Sequence, residues 1–372
     1  MRRAMLVMLV LAAMVLSLVV VSCSDSEPAS TDTTTAASTD ATTASTAGDQ
    51  APIELTVAYG DNKTPVSDAE LLPWMDELEQ KSDGRLKVVQ VYYAGQLIES
   101  SEIYDAAVRG TVDIAMNTAS MNLNRWTVMD ILSITPIDSQ CELISKAYMD
   151  VFTENQDVFD REFDDSKLLA IFGTIPNPPG LPLAFANKQP QSLEELKGLK
   201  ICGPGAYNMD YLAALGMSPA TIPPPDQYSA LEKGIVDATV LDPIFYEILN
   251  FGDVIKYQIT NIGFGGSPWF ITMNSEKFDS LPEDLQQILV DVCATFGDRR
   301  DQTGYDAKMA IIDDAVANSG LVLYELPQEE IAKLKDVEAT VIDAKLAEYS
   351  ADLPEARDIF DAWVAARAMY AR

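Results

Sequence analysis

Histidine is absent from all 372 residues. That removes the Ser-His-Asp and Cys-His arrangements and every histidine-containing zinc site. GxSxG, HExxH and Walker-loop patterns are missing too, so the common hydrolase and nucleotide-binding motifs are excluded. Basic residues are scarce: 26 Lys and Arg stand against 57 Asp and Glu, a formal net charge of −31. No basic stripe is available to displace counterions from phosphates or to lie on anionic lipid, which argues against nucleic acid and against a basic membrane-binding face. Cysteine is sparse, with four residues and no CxxC, so no metal site is expected. Among so many acids, carboxylate pairs arise by chance and do not by themselves indicate glycoside hydrolysis. The chain reads as a non-enzyme that uses no cofactor and no metal.

What is present begins with an address. MRRAMLVMLVLAAMVLSLVVVSCSDSEPAS opens on two arginines and runs apolar from Ala4 to Val21. A basic start followed by such a run is a secretory signal. Its ending, Val20-Val21-Ser22-Cys23, resembles the lipobox of bacterial lipoproteins, in which Cys23 receives lipid. The alternative is a plain transmembrane anchor, since the run is just long enough to span. Residues 24–50 turn to Ser, Thr, Ala and Asp without one large apolar side chain. Such a segment buries too little to offset its ordering entropy and is expected to be a flexible tether. With Cys23 lipidated, Cys141, Cys202 and Cys293 allow one disulfide at most and are expected to be buried as small hydrophobes.

From Ile53 onward short apolar runs alternate with amphipathic segments, the pattern of α/β sheets. IELTVAYG (53–60), LKVVQVYY (86–93) and TVDIAMNT (111–118) read as strands, with helices over 67–81 and 101–110. LLAIFG (168–173), LKICGPG (199–205), SPATIPP (218–224) and VDATVLDP (236–243) read as strands of a second lobe, roughly 168–261. NIGFGGSPWFITMN (261–274) crosses back to the first. Ser280-Leu-Pro-Glu283 predicts a capping box opening a long helical region to Ser319, followed by a strand at 321–327 and C-terminal helices.

One internal similarity carries the architecture. YDAAVRGTVD (104–113) and YSALEKGIVD (228–237) match at six positions, five identical and the sixth basic in both. Both spell a short helix, a basic residue at its C-terminal dipole, a glycine for a left-handed cap, and a buried strand. The expectation is two α/β lobes of one plan facing each other across a cleft.

GRLKVVQVYYAGQL (84–97), RGTVDIAM (109–116), SLEELKGLKICGPG (192–205), KGIVDATV (233–240) and FDSLPEDLQQIL (278–289) resemble, in order, motifs of the solute-binding proteins of tripartite ATP-independent periplasmic (TRAP) transporters. The resemblance covers about 53–350. It implies an α/β, two-lobed periplasmic-binding-protein-like (Venus flytrap) fold with crossing strands and a long bracing helix. It implies capture of one small molecule, usually a carboxylate, and delivery to membrane permease subunits. The expected division is a signal peptide over 1–22, lipidated Cys23 and tether to 50, a first lobe over 51–167 with part of 262–372, and a second lobe over 168–261 with part of 275–372. The expected location is extracytoplasmic, in the periplasm or on the outer face of the cell membrane, anchored by lipid.

The family's usual LKGLKIR ends in an arginine that pairs with the ligand carboxylate; here that position is Cys202. The family's second basic residue, upstream, is also missing, since 172–187 contains no Arg or Lys. Three readings stay open. The ligand is neutral, cationic or largely aromatic; or Arg125 or Lys63 replaces the clamp; or backbone N–H groups around Cys202, Gly203 and Gly205 hold the carboxylate at a helix N-terminus.

Ligands of open α/β lobes sit beyond the C-terminal ends of strands. That rule selects Tyr59 and Asn62, then Gln96, then Asn117 and Thr118 in the first lobe. In the second it selects Cys202, Tyr207, Asp242 and Tyr246. Arg125, Trp126, Trp269 and Phe270 lie on segments expected to pass the cleft. The main reading is a transport receptor. A ligand-sensing lipoprotein feeding a membrane sensor kinase is the alternative, and a secreted glycosidase-like enzyme the third.

Overall fold

The computed structural model describes residues 51–371, except 140, 174–179, 204, 205, 221 and 223. The signal segment, Cys23, the tether and Gly205 therefore lie outside the described residues. Eleven strands are present among the described residues: β1 (Ile53–Tyr59), β2 (Leu86–Tyr93), β3 (Ile114–Thr118), β4 (Lys167–Phe172), β5 (Leu183–Phe185), β6 (Lys200–Cys202), β7 (Ser218–Ala220), β8 (Ala238–Val240), β9 (Tyr257–Ile259), β10 (Trp269–Met273) and β11 (Val322–Tyr324). They form two sheets, ordered β2-β1-β3-β10-β4 and β11-β9-β5-β8-β6-β7.

The sheets repeat one plan. In each, three parallel strands linked by helices take the order second-first-third, and an antiparallel strand lies beside the third: β10 against β3, β5 against β8. The two similar decapeptides sit at equivalent junctions. Both helices end on left-handed glycines, Gly110 (φ 68°) and Gly234 (φ 67°). The next N–H, of Thr111 or Ile235, reaches back 2.8 Å to the carbonyl of Ala106 or Ala230. Asp113 then accepts from the Thr56 N–H at 2.7 Å, and Asp237 from the Lys200 N–H at 3.0 Å, each pinning the third strand to the first. Lys277 and Lys188 neutralise these two carboxylates.

Two expectations change. LLAIF is β4 of the first sheet, antiparallel to β10, and not a strand of the second lobe. A run buried on both faces carries no local mark of the sheet it joins. Ser280 makes no capping box: it ends the short helix Ser275–Asp279, and its hydroxyl donates to the Lys277 carbonyl at 2.7 Å. Helix Glu283–Ala294 starts behind Pro282 without a side-chain cap. Cys141, Cys202 and Cys293 are free and buried, as a small hydrophobe would be.

Long helices tie the halves together. Phe296–Asp314 packs against Pro65–Lys81 and β4 of the first lobe and against Ile244–Ile248 of the second. On Gln328–Tyr349, Glu338 accepts from the Ile137 N–H at 3.0 Å and from the Tyr207 hydroxyl at 3.3 Å. Among the described residues no helix is long and apolar enough to cross a membrane.

Candidate functional site

The cleft-facing ends of the strands are fixed by direction: the C-terminal ends of β1, β3, β6 and β8 and the N-terminal ends of β10 and β5. At this level helix Phe296–Asp314 contributes two cations. Arg300 and Lys308 are eight residues apart, a little over two turns or about 12 Å along the axis, and both are buried. They share the every-fourth-residue ladder that begins at buried Phe296 and ends at buried Ile312, so charge occupies a stripe that an amphipathic helix ordinarily fills with apolar side chains.

Arg300 faces the first lobe. Its guanidinium lies 4.1 Å from the Trp269 ring centroid, close enough for a cation–π contact. Nη1 donates to the Tyr59 hydroxyl at 3.3 Å and lies 3.7 Å from Glu70. Tyr59 in turn donates to Glu70 at 2.6 Å. Nη2 stands 3.5 Å from Asp61, and Nε, though buried, has no hydrogen-bond partner among the described residues. Lys308 faces the second lobe, 2.6 Å from Asp242, whose other oxygen caps the Ile244 N–H.

The electrostatics follow from burial. Desolvation raises the Asp61 carboxyl above its ordinary range; Arg300 opposes this, and Glu70 and Asp242 add to it. Desolvation pulls the Lys308 ammonium down, with Asp242 opposing. Burial also works against the Arg300 charge, but Glu70, Tyr59, Asp61 and Asp242 together outweigh it and hold the guanidinium protonated. Asp61 and Asp242, one from each lobe, are thus near enough to feel each other. The cluster spans the interlobe junction. Among the described residues no group of His, Cys, Asp and Glu is placed to hold a metal ion.

Of the residues selected from sequence, Tyr59, Trp269 and Asp242 belong to this cluster. Others have structural work. Asn117 is fully buried, donating to the Ser100 carbonyl and accepting from the Thr118 N–H. Thr118 shares a hydrogen bond with Ser120. Gln96 is exposed and accepts from the Tyr93 N–H; Asn62 is exposed, and its carbonyl accepts from Ser67. Trp126 and Phe270 lie in an aromatic box with Tyr104 and Phe163, Trp126 stacked 4.6 Å from Phe163. Tyr207 and Tyr246 are buried and donate to Glu338 and Gln258.

Neither expected substitute cation joins the cluster. Arg125 pairs with Asp105 and Asp165 at 2.7 and 3.0 Å and lies over the Tyr104 ring. Lys63 is exposed beside Asp68 and Tyr93. Cys202 has no exposed surface; it packs with Ala184, Ala186, Leu231 and Tyr246, its thiol 3.7 Å from the Ala238 carbonyl.

A hollow of about 170 Å³ opens beside the same helix, between Tyr305 and Met309 and the cleft-side ends of β5 and β9. It is below the roughly 300–1,000 Å³ of drug-sized clefts, and no residue of the charged cluster lines it.

Sequence reasoning missed Arg300, Lys308 and Glu70. The available signal was in the helix itself: in FGDRRDQTGYDAKMAII, cations fall on the apolar ladder.

Residues 182–348 match the family of bacterial extracellular solute-binding proteins, family 7. The matched stretch is a little under half of the chain. Its fold is similar to that of a marine metagenome TRAP solute-binding protein specific for aromatic acid ligands, solved with 3-hydroxybenzoate: TM-score 0.75, 19% identity, covering 87% of this chain and 100% of that one. It is also similar to a TRAP solute-binding protein from Rhodoferax ferrireducens in complex with benzoate: TM-score 0.70, 22% identity, covering 86% and 98%. In sequence, the chain is 24% identical over 238 residues to the uncharacterized protein YiiZ of Salmonella typhimurium, covering 63% of this chain and 70% of that one. At these identities the structural likeness is one of fold, and the fold is the two-lobed one. The matched stretch takes in β5 to β11, helix Phe296–Asp314 and nearly all of helix Gln328–Tyr349.

Proposed function

We propose that this protein is the extracytoplasmic receptor of a TRAP-type importer. It captures a small organic acid between its lobes and delivers it to membrane permease subunits. The observation that carries this reading is that both lobes present their strand ends and an acidic residue, Asp61 or Asp242, to one buried cationic helix. A solute bound there touches both lobes, and contacts made only in the closed state shift the population towards closure. The role is binding, not catalysis. The aromatic acids held by structural relatives make benzoates the first ligand class to try. Lipid on Cys23 and the 24–50 tether would hold the receptor beside its permease.

Small-angle scattering tests the mechanism. The radius of gyration is expected to fall when a saturating ligand is added, as two lobes close about a hinge. An unchanged radius for a ligand shown to bind would count against closure.

A further inference from the structure

We propose that the Nε–Nη2 edge of Arg300 is the carboxylate-binding fork of the cleft, and that Asp61 is a resident carboxylate which the ligand's carboxylate displaces. This rests on the receptor reading and specifies its recognition chemistry.

The geometry singles out one edge of one side chain. A guanidinium offers donors along two edges, and a carboxylate fits either with two parallel hydrogen bonds. On Arg300 one terminal nitrogen, Nη1, is committed to the Tyr59–Glu70 pair. The remaining side-on edge is Nε with Nη2. Among the described residues Nε has no partner although the side chain is 4% exposed, and Nη2 has Asp61 at 3.5 Å, beyond the 2.7–2.9 Å of a close charge-assisted bond. A buried donor without an acceptor is costly and calls for an explanation. The Trp269 ring lies over the guanidinium at 4.1 Å and Phe172 at 5.4 Å, so the plane of the fork is held before a ligand arrives.

Asp61 supplies the exchange. Half of its side chain is exposed, in contrast to buried Glu70, although its carboxyl is desolvated against the cluster; the exposed side leaves it a way out to solvent. Its departure leaves Arg300 with Glu70 and room for an incoming carboxylate. Asp242, already paired with Lys308 in the other lobe, faces the same junction and is placed to accept a hydrogen bond from a hydroxyl on the solute. The ligand class is therefore a small monocarboxylate, with or without a hydroxyl. The family's arginine at the Cys202 position is replaced in function by a residue from the bracing helix.

The test uses the full chain in detergent, titrated calorimetrically with benzoate and 3-hydroxybenzoate, with uncharged benzamide and with benzylamine. The wild type is expected to prefer benzoate over benzamide by about 100-fold, the value of two charge-assisted bonds at tenfold per 1.4 kcal/mol. Arg300→Lys keeps the charge but loses the fork, so benzoate binding should weaken by at least about tenfold while circular dichroism is unchanged. Benzoate affinity retained within threefold in a folded Arg300→Lys overturns the proposal. If Arg300 variants do not fold, Asp61→Asn decides: removing the competing carboxylate should tighten benzoate binding several-fold, and unchanged or weaker binding overturns the fork. Preference for benzamide or benzylamine over benzoate leaves the receptor reading standing and removes the fork. Failure of every solute class, acid, neutral and amine, removes both.

Discussion

Glu338 gives the structure a pH dependence that a single substitution isolates. The carboxyl is 3% exposed. Burial drives its pKa up to about 7, against the Ile137 N–H and the Tyr207 hydroxyl, which favour the charged form, with Asp138 adding to the rise and Lys335 opposing it. In the unfolded chain a glutamate titrates near its ordinary value of about 4.3. A folded pKa raised above the unfolded one stabilises the protonated form. That contribution is fully present below the unfolded pKa and is lost as pH rises through about 7. At about 1.4 kcal/mol per tenfold, ionising Glu338 in the fold costs on the order of 3 kcal/mol at pH 8. Glu338→Gln imitates the uncharged side chain, since its amide oxygen, placed where Oε1 lies, still accepts from both the Ile137 N–H and the Tyr207 hydroxyl. The variant should equal the wild type at pH 4.5 and exceed it by about 2–3 kcal/mol at pH 8. Urea unfolding at pH 4.5, 6 and 8 measures this directly. A stability difference that does not grow with pH across that window refutes the reasoning. So does a variant that is less stable at pH 8.

Restoring the family's arginine by Cys202→Arg should destabilise the second lobe by several kcal/mol, read by thermal melting, because it buries an unpaired charge among Ala184, Leu231 and Tyr246; a folded variant of wild-type stability would place position 202 at the cleft instead. Gly265→Ala should be costly by about 3 kcal/mol or more, since its Cβ would fall 2.1 Å from the Ser133 carbonyl oxygen, and a neutral effect on the melting temperature would contradict that packing. Cys23→Ser is expected to abolish incorporation of labelled fatty acid, and unchanged labelling would refute the lipobox.

Local chemistry was legible where it is self-contained. The two decapeptides announce their junctions because a glycine cap, a basic last turn and an aspartate at strand entry each act within a few residues. The structure places them at equivalent positions, with matching hydrogen bonds at Asp113 and Asp237. What requires distant partners was not legible. β4 reads the same whichever sheet it joins, and β5 and β9 have three residues each, too few for periodicity to appear. The rule that ligands lie beyond strand ends selected Tyr59 and Asp242, which join the buried charged cluster, but gave equal weight to Asn117 and Gln96, whose polar groups brace their own turns. It had no means of selecting Arg300, because that residue is on a helix more than 100 positions downstream of Trp126 and reaches the cleft only once both lobes are folded.

The alternation along β10 has a consequence for how such a receptor diversifies. Trp269 stands beside the cationic fork, while its neighbour Phe270 is locked into the box of Tyr104, Trp126 and Phe163. Consecutive residues of a strand answer to different compartments. On the proposed recognition, drift at position 269 would retune which solutes are accepted while position 270 keeps the scaffold intact, so a lineage could explore new diets without losing its fold.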